Sequence, residues 1–227
     1  KTTFSVNKKP LYFFRDQRAF KPFWNRIEYF VIDDNYTDQE LQQAKNSPNT
    51  VGAAHFQWEF LQKESLHKAL KAANLQDDDI VYMGDVDEIP LQYNSPNLPA
   101  KLWLQVYAYY LNNESDEAFW GTLVAKYGYL KDKCLNHERS RKDIRTNTLH
   151  GYHFTSMGGL KEVQRKLNDS YTTDSYNMNA VPGYVETCVK ERKDLLNRPF
   201  TYTISEENWP QILKDNRKKY EHLLWQS

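Results

Sequence analysis

The amino-terminal part of the chain alternates short apolar runs with helical patterns, an order that few fold classes share. Apolar runs lie at 11–14, 26–32 and 80–83, and helical patterns at 38–46 and 54–74 separate the second run from the third. Strands that alternate with helices in this way are typical of α/β proteins, in which successive strands lie parallel in one sheet. We therefore predict an α/β fold whose sheet is largely parallel in this part of the chain.

A loop at 92–100, with two prolines and no hydrophobic periodicity, separates this part from a second one. The aromatic and β-branched segments 101–111 and 119–130 predict longer strands, which favour mixed or antiparallel pairing. Helical patterns follow near 159–168, 183–196 and 206–224, the last with Trp209, Leu213, Tyr220 and Leu224 on one stripe. We interpret 1–227 as one domain with two halves, 1–91 and 101–227, and a mixed central sheet flanked by helices.

Charge and hydropathy narrow the range of partners. Lys plus Arg and Asp plus Glu number 30 each, so a net charge near zero gives no electrostatic basis for nucleic acid as the main partner. No apolar run reaches the length that a bilayer span requires. The two cysteines are too few for a disulfide framework and favour a reducing compartment. We therefore expect no membrane span in this chain and a cytoplasmic location.

Three acidic residues follow the apolar run 80–83 directly, in the segment GDVDE at 84–88. Ligands of open α/β sheets bind at the carboxyl ends of the strands, which is where these carboxylates lie. Residues two apart in an extended chain point the same way, so Asp85 and Asp87 can converge on one cation. Mn²⁺ or Mg²⁺ held in this way keeps coordination positions free for diphosphate oxygens. A haloacid-dehalogenase phosphatase also carries Asp-x-Asp after a strand, but it continues with Gly-Thr or a similar pair. This chain has Glu-Ile-Pro there, which excludes that class of enzyme.

The helical pattern at 54–74 carries a second candidate group. At 100° per residue its solvent face holds Gln57, Glu64, Lys68 and Lys71, whereas Glu59, Gln62 and Lys63 lie among the apolar residues. Polar groups on a buried face are costly unless they are paired or face a cavity. Glu59 and Lys63, four residues apart, therefore either bond each other or line a site.

Seven segments of the chain, in the same order, resemble those of glycosyltransferase family 17. GDVDEIP is similar to the Asp-x-Asp-Glu-Ile-Pro signature of that family, and Lys63 stands where its Glu-x-x-Gln-Arg helix has Arg. The other segments are KTTFSVNKKPLYF, RAFKPFWNRIEYFVID, YAYYLNN, WGTLVA and LHGYHFTSMGGLKEVQRKL.

The resemblance implies a GT-A-like fold whose first strand lies upstream of Lys1, with 1–91 binding a nucleotide-sugar and 101–227 on the acceptor side. It implies an inverting transferase that moves N-acetylglucosamine or another hexose from a nucleotide-sugar donor to a glycan or similar acceptor. We expect a UDP-sugar as donor and Mn²⁺ or Mg²⁺ as cofactor.

Four more residues are candidates for the site. His153 in GYHF is a candidate third metal ligand, since imidazole suits Mn²⁺. Arg145 could bind the diphosphate as a bidentate donor, although it lies in a basic stretch where exposed arginines are common. An inverting reaction needs a carboxylate that deprotonates the acceptor hydroxyl. Asp174, near the position of a family Glu, is the first candidate for this base, and Asp143 is the second.

Two alternatives remain open on the sequence. A sugar-nucleotide pyrophosphorylase shares the sheet and the acidic metal site, but it needs an early Gly-rich phosphate loop that this chain lacks. A non-catalytic sugar-binding or assembly subunit could retain the same fold. The segment SYTTDSYN at 170–177, which departs from the Ser-Phe-x-His-x-Glu segment of the family, is the feature that favours this second alternative.

Overall fold

The computed structural model describes residues 20–27, 36–46, 54–169 and 181–226. The α-helices are α1 (Asp38–Asn46), α2 (Ala54–Glu64), α3 (Leu66–Ala72), α4 (Tyr127–Leu130), α5 (Leu135–Ser140), α6 (Gly159–Asp169), α7 (Tyr184–Glu191) and α8 (Gln211–Asp215). The strands are β1 (Ile80–Met83), β2 (Glu88–Pro90), β3 (Ala100–Ala108), β4 (Asn113–Ser115), β5 (Phe119–Lys126), β6 (Arg145–Thr155) and β7 (Tyr202–Ile204). Short 3-10 helices cover Lys21–Arg26 and Arg217–Leu223.

The strands form one mixed sheet, which confirms the predicted α/β class. Its path runs β1-β5-β3-β4-β7, while β6 pairs with β3 and β2 pairs with β6. The pairing of β3 with β6 is parallel, and the other pairings between described strands are antiparallel. The prediction of a largely parallel sheet is therefore wrong for the described strands, since β1 runs antiparallel to β5. The predicted run at 11–14, and residues 28–32 of the run at 26–32, lie outside the described residues.

Strand β3 lies in the interior of the sheet, since β5 and β6 pair with it, and both of its faces are covered. Leu102 and Leu104 point to one face, where they form a core cluster with Val124 of β5. Tyr107 points to the other face and belongs to a second core cluster. A strand buried on both faces carries few polar residues. Lys101 of β3, only 9% exposed, is an exception that matters for the site described below.

The helical pattern at 54–74 forms two helices rather than one. Ser65, which is buried, separates α2 from α3, and its hydroxyl donates a hydrogen bond to the carbonyl of Leu61 at 2.7 Å. Helix α2 packs on α1 through Phe60, Leu61 and Ala44. The periodicity of the sequence predicts which face is apolar, but it does not show where an element that packs against the helix will break it.

The periodicity of this segment predicts that Glu64 lies on the solvent face of the helix, and that prediction is wrong. Its carboxylate accepts hydrogen bonds from the backbone N–H groups of Leu135 and Asn136, at 3.3 and 2.8 Å, where α5 begins. The first N–H groups of a helix have no partner within it and favour an anion. Glu64 therefore ties α2 to α5. Lys68 and Lys71 are exposed, as predicted.

The carboxyl-terminal stripe packs as predicted, although the segment is not one continuous helix. Trp209, Leu213 and Leu224 are buried in one cluster, and Tyr220 packs against it. The indole N–H of Trp209 donates a hydrogen bond to the carbonyl of Leu111 at 2.8 Å, which anchors the segment to the end of the sheet. Within the described part of the chain, we find no helix whose length and apolar character would let it cross a bilayer.

Candidate active site

The acidic segment forms a tight turn between β1 and β2. The N–H group of Glu88 donates a hydrogen bond to the carbonyl of Asp85 at 3.0 Å, and Val86 at the tip is 99% exposed. The extended conformation assumed from the sequence is therefore wrong. Asp85 and Asp87 lie on one turn, but each has its own set of partners.

Arg139 of α5 binds two of the three acids. Its guanidinium donates to both carboxylate oxygens of Asp85, at 2.8 and 2.7 Å, and to Glu88 at 2.6 Å. Burial favours the neutral form of Asp85, but the hydrogen bonds and charge of Arg139 hold its pKa below the ordinary value. Arg139 therefore neutralises much of the negative charge that the sequence places here.

Glu88 is buried beneath the turn and stabilises it. Its side chain is 0% exposed, and it accepts a hydrogen bond from the hydroxyl of Thr122 at 2.9 Å. Burial raises the pKa of Glu88, against the opposing effects of Arg139 and Thr122. A Cβ atom at Gly121 would lie 2.7 Å from the carboxyl carbon of Glu88, and one at Gly84 would lie 2.8 Å from its Oε2. The two glycines leave room for this buried carboxylate.

Asp87 faces His153, as the metal-site prediction requires. Strand β2 pairs with β6 so that Glu88 lies opposite His153, which brings the imidazole Nε2 to 3.6 Å from the Asp87 carboxylate. Lys166 of α6 lies 3.8 Å from the same carboxylate. Burial favours the neutral form of Asp87, yet His153 and Lys166 together hold its pKa below the ordinary value.

The His153 ring is held in place by stacking on Phe119, with ring centroids 4.2 Å apart. Its Nδ1 is buried and has no hydrogen-bond partner among the described residues. No described residue holds Nδ1, whereas Nε2 faces the Asp87 carboxylate and can either donate to it or ligate a cation.

A cavity of about 370 Å³ opens beside the turn. Asp85 and Arg139 line it from one side, and Glu59 and Lys63 line it from α2. Glu59 and Lys63 also form an ion pair with each other. The two residues therefore both bond each other and line a cavity, the two arrangements that their spacing allows. The remaining lining residues are Phe60, Lys101, Phe119, Trp120, Gly121, Asn136 and Ser140.

Two cationic side chains at this cavity make no ion pair with a described residue. Lys101 lines the cavity, and burial, aided by the charges of Arg145 and Arg139, lowers its pKa to about 8. Arg145 is exposed and lies over the ring of Trp120, 4.4 Å from its centroid. Arg145 does not line the cavity itself and reaches it only through Trp120, so its role in binding a diphosphate stays a prediction.

The two candidate bases are placed differently. Asp143 is exposed and held by the guanidinium of Arg141, whose hydrogen bonds lower the pKa of Asp143. It does not line the cavity. Asp174 lies outside the described residues.

Sequence reasoning missed Arg139 and Lys101. A signal for Lys101 was present, because it is a lone cation in the apolar strand KLWLQVYA. Arg139 was hidden in the basic stretch ERSRKDIR, where nothing in the sequence singles it out.

Asp87 and His153 fit a divalent cation of the Mn²⁺ or Mg²⁺ type. Carboxylate and imidazole are suitable ligands for Mn²⁺, and Asp85 keeps one lone pair on each oxygen beyond those that Arg139 uses. The described residues contain no group of three or more His, Cys, Asp or Glu side chains arranged to hold a metal ion. A cation at this turn would therefore take further ligands from bound phosphate oxygens and water.

The mixed sheet flanked by helices, with an acidic turn and a cavity beside it, defines an α/β protein with a GT-A-like architecture. The model of glycosyltransferase family 17 matches residues 1–180, and the chain belongs to that family. It is therefore a glycosyltransferase enzyme, which leaves the pyrophosphorylase and binding-subunit alternatives without support. No curated protein and no solved structure gives a match.

Proposed function

We propose that the enzyme transfers a hexose or N-acetylhexosamine from a nucleoside diphosphate sugar, a UDP-sugar in the first instance, to a glycan or similar acceptor with the help of a divalent cation. The observation that carries this proposal is the turn at 85–88. It presents Asp85 to a cavity of about 370 Å³ and Asp87 to the imidazole of His153. Family membership supplies the reaction class, and the turn supplies a place for the diphosphate and its cation.

Asp87 and His153 would hold the cation, with Asp85 on the same turn. The cation, Mn²⁺ or Mg²⁺, would stabilise the charge that builds up on the leaving diphosphate. Lys63 and Arg139 line the adjoining cavity, but each is already paired with a carboxylate. Arg145, which makes no ion pair with a described residue and lies over the lining residue Trp120, favours an anion there. Lys166, 3.8 Å from Asp87, adds positive potential on the other side of the turn.

An inverting transfer requires a carboxylate on the acceptor side that takes the proton of the attacking hydroxyl. Of the two candidates, Asp143 is the weaker, because it is exposed and its carboxylate is held by Arg141. We therefore propose Asp174 for this role. Its support is that it lies near the position of a Glu in the family segment from which 170–177 departs.

Calorimetric titration with UDP and with other nucleoside diphosphates, in Mn²⁺ and in chelator, tests the cation. We expect binding that is weak in chelator and much tighter in Mn²⁺. Asp87→Asn should lose this dependence on Mn²⁺ and should lose transfer in a single-turnover assay. Asp87 is a better probe than Asp85, because Asp85 also anchors Arg139.

The matched control is Asp132→Asn, which removes one carboxylate from an exposed position outside the cavity. It should bind nucleotide and transfer sugar as the wild type does. Tight UDP binding in chelator, or full transfer by Asp87→Asn, would contradict the proposed role of the cation.

A further inference from the structure

Lys101 presents its ammonium group to the cavity without a partner among the described residues. Its side chain comes from an interior strand, is 9% exposed, and makes no hydrogen bond or ion pair with a described residue. Burying a charge costs free energy unless an opposite charge or hydrogen-bond acceptors compensate. A lysine in this position is therefore costly to the fold unless something that enters the cavity compensates for its charge.

The cations around the cavity outnumber the carboxylates. Glu59 pairs with Lys63, while Asp85 and Glu88 share the single charge of Arg139. One negative charge is left over from these pairs, and it is opposed by two further cations, Lys101 and Arg145, with Glu88 acting on Lys101 without forming an ion pair.

A second cation lies next to Lys101 on the neighbouring strand. Lys101 of β3 and Arg145 of β6 are partners in the parallel register. Arg145 forms no ion pair with a described residue and rests on Trp120, which lines the cavity. Two adjacent cations repel each other unless an anion lies between them. The pair is thus arranged to receive an anionic ligand, and the space beside it is open to one.

We propose that Lys101, with Arg145 at the rim, forms an anion site that binds a phosphate group of the nucleoside diphosphate without requiring the divalent cation. This inference rests on the proposed function for the identity of the ligand. An ammonium and a guanidinium are the usual side-chain partners of phosphate oxygens. Since Asp85 lines the same cavity, the cation at the turn and the anion site would contact one diphosphate from two directions.

Competitive acetylation of the wild-type enzyme in chelator tests the site without a mutation. At a pH near 8 we expect Lys101 to react ahead of the exposed lysines, because its pKa of about 8 leaves a large share of it neutral. The charged groups that act on it are Arg145, Arg139, Lys63 and Glu88. Peptide mass spectrometry reports the extent of labelling, and UDP and inorganic pyrophosphate should each protect Lys101.

Glucuronic acid, a sugar carboxylate, is the third ligand of this experiment. An anionic acceptor would also bring a carboxylate or phosphate to the cavity. Glucuronic acid stands for such an acceptor, so its effect shows whether the site binds the acceptor or the nucleotide donor. Protection by glucuronic acid and not by UDP would assign the site to the acceptor and overturn the proposal. Absence of protection by both UDP and pyrophosphate would overturn it as well.

Lys101→Met and Lys126→Met form a matched pair for direct binding. Lys126 is an exposed lysine on β5 that pairs with Asp78 and does not line the cavity. In chelator, Lys101→Met should bind pyrophosphate about tenfold more weakly than wild type, as expected for the loss of a charge-assisted hydrogen bond. Lys126→Met should bind it as wild type does, and equal affinity of both variants would refute the proposal.

These assays contain no divalent cation, so their outcome is separate from that of the Mn²⁺ titrations. Loss of protection at Lys101 together with normal dependence on Mn²⁺ would reject only the anion site. Protection at Lys101 by UDP together with unchanged binding by Asp87→Asn would reject only the cation site.

Discussion

Replacing Lys101 with methionine should make the protein more stable, although it removes a group that we assign to ligand binding. Methionine keeps an unbranched side chain of similar length and removes the ammonium. Burial lowers the pKa of Lys101 from 10.5 to about 8, so the folded state disfavours the charged form. A shift of this size corresponds to roughly 3 kcal/mol, and screening by water in the cavity reduces the expected gain to about 1–2 kcal/mol.

The gain should depend on pH with a defined sign. Between pH 8 and 10.5 the unfolded chain keeps a proton on Lys101 that the folded chain has lost, so wild-type stability rises with pH. Below pH 8 the full cost of the buried charge is present. The advantage of Lys101→Met is therefore largest at neutral pH and shrinks as the pH rises through this range.

Urea denaturation followed by tryptophan fluorescence, at pH 7 and at pH 9.5, measures the free energy of unfolding of both proteins. Lys126→Met serves as the control, because it removes an exposed lysine and should change stability by less than about 1 kcal/mol. A Lys101→Met variant that is less stable than wild type at pH 7 would refute the reasoning. A gain of the same size at both pH values would refute it too.

Three further predictions concern the acidic turn and its supports. His153→Ala should weaken Mn²⁺ binding at least about tenfold by calorimetry, and unchanged affinity would remove it from the metal site. Glu64→Ala should lower the free energy of unfolding by about 1–2 kcal/mol, because it accepts hydrogen bonds from the N–H groups that begin α5. Arg139→Met should cost about 3–5 kcal/mol by leaving the buried Glu88 carboxylate without its cation, and adding Glu88→Gln should restore part of that loss. A double variant no more stable than Arg139→Met would show that Glu88 is not the cause.

The sequence predicted which residues of the acidic segment lie near the site, but it did not predict the backbone conformation of that segment. Asp87 and His153 lie together, as their positions in motifs of the family imply, because β2 pairs with β6 in a register that sets Glu88 opposite His153. The expectation that Asp85 points the same way as Asp87 assumed an extended chain. The turn instead directs Asp85 to Arg139.

The alternation of apolar runs and helical patterns determined the α/β class, because periodicity reflects which face of each element is buried. Local sequence predicted β1, β3, β5 and most of the helices, but not the strands β2, β4, β6 and β7. The acidic signature and the ion pair between Glu59 and Lys63 also follow from local spacing. Tertiary structure decided the antiparallel partner of β1, the capping of α5 by Glu64, and the pairing of Arg139 with Asp85. These contacts join residues some forty to seventy positions apart. Spacing along the chain carries no information about such contacts, since they depend on how the sheet and helices pack in three dimensions.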